Sequence, residues 1–306
     1  DRSPSRGLGD VYKRQLFYPN DGWVEARPDE ILASVRETVD KAIDNSNVTI
    51  NACGITNQRE TVVVWERASG KAIYPAIIWQ DRRTSELCNE LKKNKKLENE
   101  IRKKTGLLLD PYFSASKIKW ILDNVEGARI KAKNGDLCFG TIETFLIWNL
   151  TEEKNHKTDA TNASRTMLMN LETLAWDQSL LEIFNIPIEI LPEICSCDDT
   201  FGHIDKGDQK IPITGVIGDQ QSALFGQNCF DFGEMKSTYG TGCFLMVNTK
   251  DKIYKSNAKL LSTVGCKLGN ETSYALEGSI FSAGTSIQWL RDCLLYTSDA
   301  ADDTPC

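Results

Sequence analysis

Hydrophobic residues recur at helical spacing after Pro28, so that Ile31, Val35 and Val39 share one face. A proline at the start of such a pattern is typical of the first turn of a helix, and we predict that a helix begins here. Comparable patterns predict further helices at 84–104, 114–123, 141–150, 174–184, 220–225 and 283–291. Residues 158–166 are polar without a period, which predicts a loop.

Short apolar runs between these helices predict strands at 48–53, 61–65, 77–79, 212–217, 238–248 (two strands around a glycine turn), 260–265 and 273–276. The first three strands follow one another through short polar turns, which is typical of the antiparallel part of a mixed sheet. The alternation of strands and helices predicts an α/β protein with more than one domain.

The two ends of the chain lack this patterning. Residues 1–15 and 294–306 mix polar residues, glycine and proline without a period of 2 or 3.6, and we interpret both as foreign or disordered sequence. The patterned core therefore covers 16–293.

Charge and hydropathy narrow the class of protein. The 306 residues carry a net charge of −7, which argues against a nucleic-acid partner held by phosphate contacts. No apolar run approaches the roughly 20 residues of a membrane-spanning helix, and the start of the chain lacks the apolar core of a secretory signal. We therefore expect a cytoplasmic protein without a membrane span.

Cysteine and histidine usage gives no sign of a metal centre. The ten cysteines are scattered without a CxxC pair, and the chain has only two histidines. This spacing argues against a zinc site, and we predict no metal-binding residue. Most of the cysteines are interpreted as small buried hydrophobic residues.

A carboxylate stands between a predicted strand and a predicted helix in Gly218-Asp219-Gln220. Side chains at the carboxyl ends of strands line the crevice in which α/β proteins bind ligands, so Asp219 could accept a proton from a substrate hydroxyl. Aspartate is also a common helix N-cap, and on this segment alone the capping role is favoured.

Three further segments could bind a small ligand. Arg59 and Glu60, between two predicted strands, could exchange hydrogen bonds with the hydroxyls of a polyol or form a surface ion pair. Trp79 could cover the apolar edge of a ligand or pack in the core. The turn at 240–242, with Thr241 at its centre, could hold a phosphate or be an ordinary tight turn.

Six segments, in order, resemble the glycerol kinases of the FGGY carbohydrate kinase family: GITNQRET (54–61), AIIWQDRRT (76–84), DPYFSASK (110–117), GDQQSALFGQ (218–227), STYGTGCFLMVNT (237–249) and GTSIQWLRD (284–292). The resemblance implies an α/β fold of the ribonuclease-H-like type found in actin, hexokinase and Hsp70. It implies one such domain at 16–227, holding the polyol site, and the start of a truncated second domain of the same type at 228–293. It also implies ATP-dependent phosphorylation of glycerol to glycerol 3-phosphate in the cytoplasm, with ATP and Mg²⁺.

The resemblance assigns hydrogen bonds to the glycerol hydroxyls to five residues, namely Arg59, Glu60, Tyr112, Asp219 and Gln220. Asp219 is the implied base, which receives the proton as the terminal hydroxyl attacks the γ-phosphate of ATP. Positioning and charge stabilisation account for most of the catalysis in such phosphoryl transfer.

The remaining assignments concern apolar and nucleotide contacts. The resemblance implies that Trp79 and Phe244 form an apolar wall against the carbon backbone of glycerol. It implies that Thr241, Gly284 and Gln288 contact the nucleotide.

The chain departs from the family pattern at both ends. The phosphate-binding hairpin with which the family begins does not occur before Leu16, and the later part of the second domain would lie beyond Asp292. We therefore expect a fragment with little or no kinase activity of its own, from a protein that is a homo-oligomer at full length.

Other classes of function stay open from the sequence. One alternative is another FGGY sugar or polyol kinase, and another is a non-catalytic fragment that binds a polyol. A dinucleotide oxidoreductase is disfavoured, because Leu245 stands where the third glycine of the dinucleotide fingerprint would be.

Overall fold

The computed structural model describes residues 16–46, 49–207, 209–240 and 242–294, without the side chains of 285, 288, 292 and 294. The helices of these residues are α1 (Pro28–Asp44), α2 (Ser85–Lys92), α3 (Lys95–Thr105), α4 (Ser114–Asn124), α5 (Ala128–Lys133), α6 (Ile142–Leu150), α7 (Ala160–Ala163), α8 (Gln178–Phe184), α9 (Asp219–Gly226) and α10 (Gly284–Leu294). A short 3-10 helix covers Ile188–Ile190.

The strands are β1 (Glu25–Ala26), β2 (Cys53–Asn57), β3 (Val63–Glu66), β4 (Ala76–Ile77), β5 (Leu137–Gly140), β6 (Lys157–Asp159), β7 (Met169–Asn170), β8 (Ala175–Trp176), β9 (Glu193–Cys195), β10 (His203–Lys206), β11 (Gln209–Gly218), β12 (Met235–Tyr239), β13 (Cys243–Lys250), β14 (Leu261–Leu268) and β15 (Glu271–Ile280). The segments 1–15 and 295–306 lie outside the described residues.

Two sheets position the candidate site. In the first, β11 pairs in parallel with β2 and antiparallel with β10. The second is antiparallel, with the strand order β12-β13-β15-β14. Parallel pairing brings the carboxyl ends of β2 and β11 to one edge, where Asn57 is the partner of Gly218. The residues that follow these two strands therefore become neighbours.

Strand β3 divides two apolar cores. Val64 packs in the core that contains Ile118 and Phe184, whereas Val63 and Trp65 pack in a separate core on the other face. This alternation follows from the two-residue period of a strand. Because both faces are covered, the segment consists almost wholly of large apolar residues.

Most of the predicted elements are confirmed within a few residues, but the first strand is wrong. The sequence predicted it at 48–53, whereas β2 covers Cys53–Asn57. The β-branched residues around Ile50 suggested the earlier position. The strand forms instead where the backbone of Cys53–Asn57 pairs in parallel with β11.

Side-chain caps explain two errors in helix length. The predicted helix 84–104 is broken into α2 and α3 at Asn94, whose Oδ1 accepts a hydrogen bond from the N–H of Leu97 (3.2 Å). The predicted helix 174–184 begins only at Gln178, because Asp177 caps α8 and its Oδ1 accepts from the N–H of Ser179 (3.1 Å). Asn and Asp compete with the helical backbone in this way and favour helix starts.

The predicted loop at 158–166 is also wrong. It contains the end of β6 and the short helix α7, which Asp159 caps through the N–H of Thr161 (2.7 Å). Every residue of α7 is buried. Hydrogen bonds between polar side chains and the backbone let this segment lie inside the protein, which its polar composition did not indicate.

Within the described residues, no helix combines the length and the apolar character needed to cross a bilayer.

We expect Gly106→Ala to destabilise the protein more than Gly127→Ala, although both glycines have nearly the same φ, +71° and +72°. A left-handed backbone costs a non-glycine residue about 1–2 kcal/mol at either position. At Gly106 a Cβ would also lie 2.5 Å from the carbonyl oxygen of Ser262, whereas at Gly127 nothing lies within 4 Å. Urea unfolding measures both variants, and equal losses would contradict the close packing of α3 against β14.

Candidate active site

The candidate site lies where β2 and β11 end side by side. Arg59 and Glu60 follow β2, and Asp219 follows β11 as the first residue of α9. The Nε of Arg59 lies 3.5 Å from Oδ1 of Asp219 and 3.8 Å from Oε1 of Glu60. The structure therefore brings together three residues predicted to bind polyol hydroxyls.

Gly218 makes this close approach possible. A Cβ at this position would lie 2.9 Å from both Cγ and Cδ of Arg59, so any larger residue would displace the arginine. Gly218 is also the N-cap of α9, and its N–H donates to Oγ1 of Thr161 (2.9 Å). The capping role that the sequence favoured for Asp219 is therefore wrong.

The carboxylate of Asp219 is accessible. Its side chain is 42% exposed, and its Oδ1 accepts a hydrogen bond from the N–H of Gln220 (2.8 Å). This N–H is one of the unpaired donors of a helix start, which favour a negative charge there. Asp219 is thus held in place on one side while it remains reachable from the other.

Arg59 and Glu60 are buried, so the alternative of a surface ion pair is wrong. Arg59 binds both carboxylate oxygens of Glu277, with Nη1 2.6 Å from Oε2 and Nη2 3.1 Å from Oε1. Arg165 Nε donates to Oε1 of Glu60 (2.6 Å), and its Nη2 donates to Oε1 of Glu277 (2.9 Å). We call Arg59, Glu60, Arg165 and Glu277 the buried charge network.

Two guanidinium groups and two carboxylates balance the charge of the network. Burial opposes ionisation of Glu277, but Arg165 and Arg59 outweigh it and lower the pKa of this carboxyl group to about 2. Burial raises the pKa of Glu60 above its usual value, despite the opposing effect of the two arginines. Buried charges need such pairing, because leaving one unpaired is costly.

The backbone of Glu60 adopts an unusual conformation, with φ of 61°. Its carbonyl oxygen accepts hydrogen bonds from Oγ of Ser114 (3.2 Å) and from Nζ of Lys117 (3.1 Å). Lys117 Nζ also donates to the carbonyl oxygen of Tyr112 (2.6 Å), and burial lowers the pKa of this lysine to about 8. Helix α4 therefore holds a strained residue, a feature that is common at functional sites.

Aromatic rings form the wall of the site that the sequence predicted. The ring centroids of Trp79 lie 5.8 Å from Tyr112 and 6.0 Å from Phe244. A cavity of about 210 Å³ opens beside Trp79, Tyr112 and Phe281. The wall meets the buried charge network at Tyr112, whose hydroxyl accepts from Nη2 of Arg59 (3.5 Å). Burial raises the pKa of Tyr112 far above its usual value, so the hydroxyl stays protonated.

Of the residues predicted to contact the nucleotide, Gly284 lies beside Gly240, which follows β12. The N–H of Gly284 donates to the carbonyl oxygen of Gly240 (3.0 Å), which places the start of α10 against this glycine. Thr241 and the side chain of Gln288 lie outside the described residues. Lys236 joins this region to the polyol site, because its Nζ donates to Oε1 of Gln220 and to Oγ1 of Thr238.

The sequence did not point to four of these residues, namely Lys117, Arg165, Lys236 and Glu277. Arg165 fell within the segment predicted to be a polar loop. Glu277 did carry a signal, because it shares the buried face of β15 with Ala275, and an acid at such a position requires a partner. The partner itself comes from a distant segment and could not be read from the spacing.

The comparisons with known proteins identify the family. The N-terminal domain of the FGGY family of carbohydrate kinases matches residues 11–226. The chain therefore belongs to the FGGY family of carbohydrate kinases. The predicted α/β fold of the ribonuclease-H-like type is confirmed by this match and by the solved structure described next.

The most similar relatives include two bacterial glycerol kinases. That of Alteromonas mediterranea is 53% identical over 307 residues, covering 98% of this chain and 62% of the relative. That of Rhizobium rhizogenes is 56% identical over 290 residues, covering 93% of this chain and 58% of the relative. The structure of the Plasmodium falciparum glycerol kinase with ADP superposes with a TM-score of 0.86 at 41% identity, covering 96% of this chain and 61% of that one. The chain thus spans about 60% of the length of these relatives.

We expect Glu277→Gln to lower the free energy of unfolding by about 3–5 kcal/mol at neutral pH, because it leaves two buried guanidinium groups with a single carboxylate. Glu66→Gln, which removes an exposed ion pair with Lys131, is the matched control and should have little effect. Urea unfolding measures both variants. Similar losses would show that the buried charge network is not a structural constraint.

The difference in the free energy of unfolding between Glu277→Gln and the original protein should depend on pH. Because folding lowers the pKa of Glu277 from 4.5 to about 2, its carboxylate contributes fully above pH 4.5. This contribution is lost as the pH falls from 4.5 towards 2. Unfolding measured through this window should show the two stabilities converging, and a constant difference would contradict the assignment.

Proposed function

We propose that the protein phosphorylates glycerol at a terminal hydroxyl, with ATP supplied as its Mg²⁺ complex, to give glycerol 3-phosphate and ADP. The observation that carries this proposal is the contact of the accessible Asp219 with the buried Arg59, next to the aromatic wall of Trp79 and Phe244. A three-carbon polyol has hydroxyls along one side and C–H groups along the other. Such a ligand matches a site with one polar and one apolar wall.

Arg59 and Glu60 each keep one polar atom for a ligand. The contacts of Arg59 Nε, at 3.5 and 3.8 Å, are longer than a normal N–H···O bond, which leaves this donor for a hydroxyl. Arg165 binds Oε1 of Glu60, so Oε2 is the oxygen left to accept from a hydroxyl. A donor and an acceptor side by side suit adjacent hydroxyls of a polyol.

Asp219 acts as the base in the proposed reaction. The terminal hydroxyl oxygen forms a bond to the γ-phosphorus while the bond to the β–γ bridging oxygen breaks, and the hydroxyl proton passes to the carboxylate of Asp219. Its 42% exposure leaves room for the hydroxyl on the accessible side.

Gly240, Gly242 and Gly284 form the proposed nucleotide side of the site. Glycines allow the backbone N–H groups to approach a phosphate closely. Lys236 adds a positive charge beside Gln220 and Thr238, and burial lowers its pKa to about 8. Its ammonium group is therefore charged at neutral pH.

Glycerol is preferred over a larger sugar because the relatives at 53–56% identity are named glycerol kinases.

Glycerol binding by the 306-residue chain tests the proposed site. We expect calorimetry to detect glycerol binding and Trp79→Ala to weaken it by roughly tenfold, which corresponds to about 1.4 kcal/mol of lost contact with the ring. Trp176→Ala, at a half-buried tryptophan whose Nε1 donates to the carbonyl oxygen of Pro192, is the control and should bind normally. Binding of a pentulose in preference to glycerol would favour another FGGY sugar kinase.

The role of Asp219 is tested by Asp219→Asn, which keeps the size of the side chain but removes its basicity. Because little or no turnover is expected of the 306-residue chain alone, the variant is made in the full-length protein, where we expect glycerol-dependent formation of ADP to fall by about 10²–10⁴-fold, with a much smaller change in glycerol affinity. Asp231→Asn, in an exposed ion pair with Lys250, is the matched control. Unchanged turnover in Asp219→Asn would contradict the proposed mechanism.

A further inference from the structure

Two cysteines from distant parts of the chain meet beside β14. Cys197 follows β9, and Cys266 lies within β14. The N–H of Cys197 donates to the carbonyl oxygen of Lys267 (2.7 Å), and the N–H of Lys267 donates to Sγ of Cys197 (3.5 Å). Both cysteines line the same cavity, so these contacts between Cys197 and Lys267 bring Cys197 beside the neighbouring Cys266.

The two thiols differ in their access to solvent. Cys197 is buried, at 5% exposure, whereas Cys266 is half-buried. Both line an open cavity of about 380 Å³, which also borders Gly215 and Val216 of β11. A small reagent can therefore reach Cys266 first, with Cys197 directly behind it.

The pKa values of the two thiols also differ, and the more accessible Cys266 has the lower one. The interaction with the neighbouring Cys197 lowers the pKa of Cys266, against the opposing effect of burial. The same interaction, together with burial, raises the pKa of Cys197. An accessible thiol of lower pKa next to a second thiol is the arrangement typical of redox-sensitive cysteine pairs.

Asp159 provides a proton acceptor for the buried thiol. Its Oδ2 lies 3.5 Å from Sγ of Cys197, and burial raises the pKa of Asp159 above its usual value. A carboxylate of raised pKa can take up the thiol proton more readily than an ordinary aspartate.

We propose that Cys197 and Cys266 are a modification site, which forms a reversible disulfide by exchange with a low-molecular-weight disulfide of the glutathione type. The Cys266 thiolate attacks one sulfur of oxidised glutathione, and one glutathione leaves as the thiolate. Cys197 then transfers its proton to Asp159 and attacks Sγ of Cys266, which releases the second glutathione. Two protein thiols are oxidised, and one glutathione disulfide is reduced to two thiols.

The test uses the folded 306-residue chain, which is first reduced and then incubated with oxidised glutathione. Free thiols are blocked with iodoacetamide, and tryptic peptides are analysed by mass spectrometry without reduction. We expect the dominant disulfide to join the peptide 166–206 to the peptide 260–267. The same treatment in guanidinium chloride should abolish this preference, because the fold holds the two thiols together.

Cys195 supplies a matched control, because it lies on the same tryptic peptide as Cys197. Cys195→Ser should keep the cross-link, whereas Cys197→Ser should lose it and retain glutathione on Cys266. Cys266→Ser is the reciprocal variant, and it should leave Cys197 free of both the cross-link and glutathione. Melting temperatures under reducing conditions show that each variant is folded.

Two results would overturn the proposal. One is a cross-link that persists in Cys197→Ser, which would assign it to Cys195. The other is a folded original protein in which Cys266 stays free or keeps glutathione without forming the cross-link. Neither result bears on glycerol binding, so the two proposals fail independently.

Discussion

The buried charge network is the constraint on which the rest of the site depends. Arg59 and Glu60 come from the end of β2, Arg165 from the segment after α7, and Glu277 from β15. Away from water, each charge needs its partner at hydrogen-bond distance. All four residues are paired because these three segments meet. The network therefore links the sheet that contains β2 to the sheet that contains β15, and it holds the side chains of Arg59 and Glu60 in place.

The residues of the candidate site differ in how firmly they are held. Arg59 and Glu60 are locked by buried partners, and Glu60 keeps a strained backbone that Ser114 and Lys117 support. Asp219 is different, because its carboxylate is accessible and its contact with Arg59 is long, at 3.5 Å. In the proposed mechanism Asp219 gains and loses a proton, which needs this freedom. Arg59 and Glu60 orient the substrate in the same mechanism, and such groups benefit from being fixed.

Local sequence signals predicted much of the fold, and non-local contacts account for the errors. The strand that ends at Gly218 and the helix that follows it could be predicted, because apolar periodicity marks both. The burial of 158–166 could not, because it depends on Asp159 and on partners far along the chain. Likewise, the assignment of Tyr112, Gln220 and Phe244 to the polyol came only from the resemblance. Arg165 became visible only through its contacts with Glu60 and Glu277.

The most direct test of this account is a crystal structure of the chain with glycerol. We predict that one hydroxyl of glycerol lies within hydrogen-bond distance of both Arg59 Nε and Glu60 Oε2, with the terminal hydroxyl at Asp219 and the carbon backbone against Trp79. The buried charge network should be unchanged from its ligand-free geometry. Glycerol bound away from these residues, or a network that breaks to admit it, would contradict the central claim.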